Sequence, residues 1–176
     1  MKNDLIWTKT VLSVYRYLDR ICDAIDKIVL NTGLSSRNIN QMNYFCNNVM
    51  SISQKIIKLS QRKINLINLK LLANKCFRKI NKTDAKLLIL CYIDGTKRRE
   101  LAEKYQISMR TVFRRIESAE TAFSKALHMQ GYSDEKLEEM LHEENWIKSV
   151  YNRYVKGEEK EQIELSSCYI TKAAAM

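Results

Sequence analysis

Residues 95–119, GTKRRELAEKYQISMRTVFRRIESA, carry seven Lys/Arg and three Glu, with apolar side chains threaded between them at helical intervals. Leu101 and Ala102 lie one turn before Tyr105. Ile107 follows, then Val112, Ile116 and Ala119, and the same face continues to Phe123 and Leu127. Ala102 is small where two helices must approach closely, and Ile107 can fill the inside of a turn between them. Val112 and Ile116, four residues apart, would anchor a second helix on the first. The spacing predicts a short helix over 97–105, a turn at Gln106-Ile107, and a longer helix capped by Ser108 and running to about Met129.

The far side of that second helix decides what it could do. With Val112 at zero and about 100° per residue, Arg110, Arg114, Glu117 and Thr121 fall roughly 140–200° away. Phe113 flanks this outer face. A helix lying in the major groove presents its N-terminal outward residues to base edges. Arginine can donate twice to guanine O6 and N7, and glutamate can accept from cytosine N4. Met109, Arg110, Phe113, Arg114 and Glu117 are therefore the candidate base-contacting residues, the two apolar ones suiting a thymine methyl. Lys97, Arg98, Arg99, Lys104, Ser108 and Arg115 fall where phosphates would pass and would position the protein.

The run from Thr83 to Ala119 resembles region 4 of bacterial sigma factors and related phage regulators. The likeness rests on Glu100-Leu101-Ala102, Ile107-Ser108, Thr111-Val112, Ile116 and Ala119, and it covers about residues 82–127. It implies promoter DNA as a partner, with RNA polymerase as a candidate second partner. Gln106 stands where that family usually has glycine in a left-handed backbone, which glutamine adopts only at a cost. Residues 1–80 show nothing like the promoter-melting region of a sigma factor, so a regulator with a region-4-like head fits the length better than a complete sigma factor.

Working outward, the 176 residues contain no proline and only four glycines, and 45% of them are apolar. Almost nothing interrupts helices. The fold class expected is all-α, an N-terminal helical bundle followed by a helix-turn-helix domain and a C-terminal helix. The expected divisions are 1–80, 82–130, 131–155 and a mobile tail over 156–176. Within 1–80 the apolar spacing suggests helices over 5–30, about 38–60 and about 63–80. Their stripes run through Val11, Val14, Leu18, Ile21, Ile25 and Ile28, then Met42, Phe45, Val49, Ile52, Ile56 and Leu59, then Ile64, Ile67, Leu71, Leu72 and Ile80. The first stripe is heptad-like, and the N-terminal bundle together with the 133–155 helix is the candidate homodimer surface. Thr83-Asp84 would cap a helix over 84–93, and Ser133-Asp134-Glu135 would open a last one over 133–155.

The formal charge of +10 is unevenly placed. Between Lys27 and Thr83 there are eleven Lys/Arg and no acidic residue, whereas 128–176 is net acidic. Such a field attracts polyanions. It also admits a second reading, a helical adaptor docking an acidic partner through 27–83. Cys22, Cys46, Cys76, Cys91 and Cys168 include no C-x-x-C pair, and the first four sit in apolar-periodic segments and are expected as buried reduced thiols. With no leader-like N-terminus and no apolar run of membrane-spanning length, the expectation is a cytoplasmic protein that does not enter the membrane.

Other chemistries find no support. His128 and His142 have no partner at ligand spacing and read as surface histidines, so no metal or cofactor is expected. Glu138-Glu139 and Glu143-Glu144 read as a solvated helix face. No nucleophile-base arrangement is present, and the expectation is a sequence-specific DNA-binding transcriptional regulator that is not an enzyme.

Overall fold

The computed structural model describes residues 5–35, 42–157 and 174, with only the backbone at 35 and 42–48. It is all-α, and no strand occurs among the described residues. The helices are α1 (Ile6–Tyr15), α2 (Leu18–Ser35), α3 (Met42–Lys79), α4 (Lys82–Leu88), α5 (Arg98–Tyr105), α6 (Met109–Met129), α7 (Asp134–Leu141) and α8 (Asn145–Val155). A π-helical turn, Ile89–Ile93, prolongs α4. No helix among the described residues is long and apolar enough to cross a membrane.

The chain forms two compact units, Met1–Arg16 with Leu69–Glu164, and Tyr17–Asn68 with Leu165–Met176. In the second unit Leu18, Ile21 and Ile25 of α2 and Leu59 and Leu66 of α3 are buried. Lys63 on α3 donates to both carboxylate oxygens of Asp26 on α2 at 2.6 and 2.7 Å. Arg62, also buried, donates to the carbonyl of Ala174 at 3.2 Å.

The first unit buries Trp7, Val11 and Leu12 of α1, Ala73 and Cys76 of α3, Phe123 and Leu127 of α6, and Trp146, Ile147 and Val150 of α8. Phe77 meets Tyr15 and Phe123 edge-on, with ring centroids 5.8 and 5.0 Å apart, a geometry the ring quadrupoles favour. Trp7 packs on Tyr151 at 4.6 Å. Tyr15 donates to the Asn74 side-chain oxygen, which gives α3 a polar tie to α1.

Four sequence expectations change. The helix expected over 5–30 is broken at Arg16-Tyr17 and then continues through Gly33 to Ser35, so this glycine lies inside a helix rather than after one. The helices expected over 38–60 and 63–80 are one helix of 38 residues. Its inward residues beyond Lys63 are Leu66, Leu69, Leu72, Ala73 and Cys76, while Ile64, Ile67 and Leu71 are exposed. The run Ile64–Leu72 is apolar on several faces, so periodicity alone admits either choice and packing selects one. The last helix divides into α7 and α8 at residues 142–144. Of the stripe on the expected second helix, Met42 and Phe45 lie outside the described side chains. So does Cys46, and residues 158–173, 175 and 176 of the expected tail lie outside the described residues altogether.

The same division corrects the reading of one acid pair. Glu138, Glu139 and Glu143 are exposed, but Glu144 is buried. It stands at the N-cap of α8, and its carboxylate accepts the indole N–H of buried Trp146 at 2.8 Å. A break in the helix turned this side chain inward. Cys22 and Cys76 are buried free thiols as expected, whereas Cys91 is only half-buried, and burial pushes Cys76 from an ordinary 9.0 up to about 11.

Candidate nucleic-acid interface

Three helices meet over one small core. Leu101 and Ala102 of α5 and Val112 and Ile116 of α6 are buried together, with Leu87, Leu90, Cys91 and Ile107 packed against them. This is a helix-turn-helix seated on a preceding helix, and each of its ends has a local cause. Asn81 caps α4 by accepting from the Thr83 N–H. The cap therefore lies two residues before the expected Thr83-Asp84. Gly95, at φ 76°, reverses the chain after the π-helical turn.

Gln106 takes the left-handed conformation, φ 50° and ψ 43°. Its N–H reaches the Glu103 carbonyl at 3.2 Å, and the Ile107 N–H reaches the Ala102 carbonyl at 3.1 Å. These two bonds make a Schellman ending, with Ile107 folded back toward Ala102 as its apolar closure. Gln106 is the only non-glycine residue with positive φ among those described. A side chain in that region costs about 1–2 kcal/mol. Gln106→Gly is therefore expected to raise stability by about 0.5–1 kcal/mol, after the larger unfolded-state freedom of glycine is subtracted. Denaturant unfolding of the two proteins would measure it, and a destabilised glycine variant would refute the account of strain.

Ser108 then caps α6. Its hydroxyl accepts from the Thr111 N–H at 3.2 Å and lies 2.8 Å from the Thr111 hydroxyl. At the other end of α6 the Gly131 N–H bonds the His128 carbonyl and the Tyr132 N–H bonds that of Leu127, a second Schellman ending with Gly131 at φ 78°. Between these caps Val112, Ile116, Ala119, Phe123, Ala126 and Leu127 are buried, which fixes the rotation of the helix about its axis.

That rotation turns the expected reading face outward. Arg110, Arg114 and Glu117 are exposed, and Met109 and Phe113 retain 41% and 45% of their surface. Thr121 is half-buried and donates back to the Glu117 carbonyl. Among the residues expected at phosphates, Lys97, Arg99, Lys104, Ser108 and Arg115 are exposed. Arg99 pairs with Glu103 at 3.3 Å, and at this exposure the pair is worth little. Ser108 is committed to its capping bonds. Arg98 is only half-exposed. Its guanidinium lies 4.8 Å from the centre of the Phe113 ring. It braces the start of α5 against the outer face of α6 through a cation–π contact. Burial raises the Cys91 thiol pKa, and the Arg98 charge works against that rise.

Behind this face lies a polar contact that sequence reasoning missed. Glu120 is 3% exposed, and the Tyr92 hydroxyl of the π-helical turn donates to its carboxylate at 2.6 Å. The Lys9 ammonium of α1 lies 3.9 Å from the other carboxylate oxygen. Burial first, and then the Glu120 charge, push the Tyr92 pKa well above its ordinary value. The spacing does put Glu120 beside Ala119 on the inward side of α6, which was the available signal; its acidity suggested solvent.

His128 and His142 are exposed, and no group of three or more His, Cys, Asp or Glu able to hold a metal occurs among the described residues. Among the described residues, then, a short helix, a left-handed turn and a longer helix share one small core, and Arg110 and Arg114 stand exposed on the far side of the longer helix. Comparison of the chain with protein-family models, with curated proteins and with solved structures gives no match.

Proposed function

We propose that this chain is a DNA-binding transcriptional regulator that places the N-terminal half of α6 in the major groove. The observation that carries the reading is the outward set Arg110, Arg114 and Glu117, flanked by Met109 and Phe113, on a helix whose opposite side is buried. A reading helix needs both properties, donors aimed outward and a rotation that packing holds in place. The net charge of +10 and the exposed Lys97, Lys104 and Arg115 support it through backbone attraction.

The remaining partners belong to the same proposal. One recognition helix spans few base pairs, so a second copy of the chain on an adjacent half-site suits the reading. RNA polymerase rests on the sigma-region-4 resemblance. The reading assigns the chain to the cytoplasm and gives it no catalytic activity.

Selection of bound sites from a random duplex pool, followed by gel shifts across a salt series, tests this reading. The expected result is enrichment of a defined site, with log affinity falling linearly as log salt rises. Absence of retardation at low salt would sink it. That outcome would favour the adaptor reading, which has its own observation. Ile57, Ile64 and Ile67 on α3 are exposed apolar side chains in a segment without acidic residues, and Ile57 is 68% exposed. Surfaces of this kind mark protein contacts.

A further inference from the structure

The end of α3, α4 and the π-helical turn enclose an open groove with a volume of about 590 Å³. Its apolar lining includes Phe77, Ile80, Ile89 and Leu90, all half-buried, and Phe77 is backed by the Phe123 ring. Arg78, Lys82 and Lys86 stand on its rim and are exposed. None of the three forms an ion pair with another described residue. Asp94 also lines the groove, so three cations face one anion there.

Charge and shape together restrict the occupant. The groove lies outside α6, and none of the expected base-contacting residues lines it. A duplex backbone would meet the three cations but leave the apolar floor in water. A small apolar molecule would cover the floor but not answer the cations, and a groove open along one side does not enclose a small ligand as binding pockets do. A peptide that alternates carboxylates with a large apolar side chain meets both demands. Its acidic groups would lie along Lys82 and Lys86, four residues apart and so on one face of α4. Its apolar anchor would rest on Phe77 and Ile89. Apolar anchors of this kind carry most of the energy of such contacts, and complementary charge supplies specificity and rate.

We infer that this groove is a docking site for an acidic peptide segment of another protein, held by an apolar anchor on Phe77, Ile80, Ile89 and Leu90 and by carboxylates on Arg78, Lys82 and Lys86. The site is separate from the DNA-reading face and stands whether or not that reading does.

A displayed library of random dodecapeptides, selected on the immobilised full-length chain, tests it. The enriched peptides are expected to be acidic with one or two large apolar residues. Fluorescence anisotropy with the best of these, synthesised and labelled, is expected to show at least tenfold weaker binding to the Lys82→Glu/Lys86→Glu variant. The peptide with its acids changed to lysine should bind that variant better than it binds the original chain. Arg110→Ala/Arg114→Ala should bind the acidic peptide unchanged. Far-UV circular dichroism and thermal melting of each variant show that a loss of binding is not a loss of fold, as expected for exposed positions. Enrichment of peptides without acidic or apolar bias, or affinity indifferent to the Lys82/Lys86 reversal, would overturn the proposal. So would a groove variant that loses duplex DNA affinity as fully as Arg110→Ala/Arg114→Ala while peptide affinity is unmoved, because the cations would then belong to the DNA surface.

Discussion

Arg114→Ala, and separately Arg110→Ala, should weaken binding to the best selected duplex about ten- to a hundredfold, leaving binding to unrelated duplexes nearly unchanged. Both side chains leave α6 on the side opposite Val112 and Ile116, are exposed, and form no ion pair with a described residue. Their removal therefore strands no buried partner, and the fold should persist. A guanidinium that donates twice to one guanine discriminates by about 1–3 kcal/mol, which sets the size of the loss. Lys104→Ala is the contrasting variant. It should weaken all duplexes alike and reduce the salt slope by about one. Gel shifts with the selected site and a scrambled duplex separate the two behaviours. If both arginine variants bind the selected site as the original chain does, α6 does not read bases.

A second large effect is expected at Glu120, this time on stability. Its carboxylate is buried among α1, the π-helical turn and α6, where it accepts from Tyr92 and faces the Lys9 ammonium. Glu120→Ala removes the acceptor of the Tyr92 hydroxyl and the carboxylate that faces the Lys9 ammonium. Leaving the Tyr92 hydroxyl without its acceptor in this way costs about 1–3 kcal/mol. At roughly 2–4 °C per kcal/mol for a chain of this size, the melting temperature should fall by about 5 °C. Glu120→Gln keeps an acceptor for Tyr92 and should lose less. Thermal melting at neutral pH, followed by circular dichroism, measures both variants, and a melting temperature for Glu120→Ala within 2 °C of the original would contradict the account. None of the residues proposed to read DNA is involved, so the folded Glu120→Gln protein should show the same duplex preference as the original chain.

The two variants probe opposite kinds of legibility. Arg110 and Arg114 are readable because an amphipathic helix has one inward direction, and Val112, Ile116, Ala119 and Phe123 mark it four times over. Glu120 shares that inward side, yet an acid is normally solvated, and its burial depends on Tyr92 and Lys9 arriving from other helices. Arg98 shows the same limit. Its charge and position place it among the expected phosphate contacts, but its guanidinium lies over the ring of Phe113. The groove lies between the two cases. Arg78, Lys82 and Lys86 recur every four residues in the sequence, but the apolar floor beside them exists only once α3 and α4 are placed together.

By itself the sequence determined the all-α class and the local course of residues 95–132. The absence of proline, the scarcity of glycine and the single apolar stripe of α6 leave one answer, and the caps at Ser108, Gly131 and Ser133 are signals read within a few residues. Tertiary structure alone decided the break at Arg16-Tyr17, the inward face of α3, and the burial of Glu120 and Glu144. At Arg16-Tyr17 no glycine or proline marks an end. Along Ile64–Leu72 several faces are apolar enough to be core. An acid becomes a core residue only when a donor from elsewhere in the chain meets it. Local periodicity cannot choose among such alternatives, because the energies that separate them belong to contacts between residues distant in sequence.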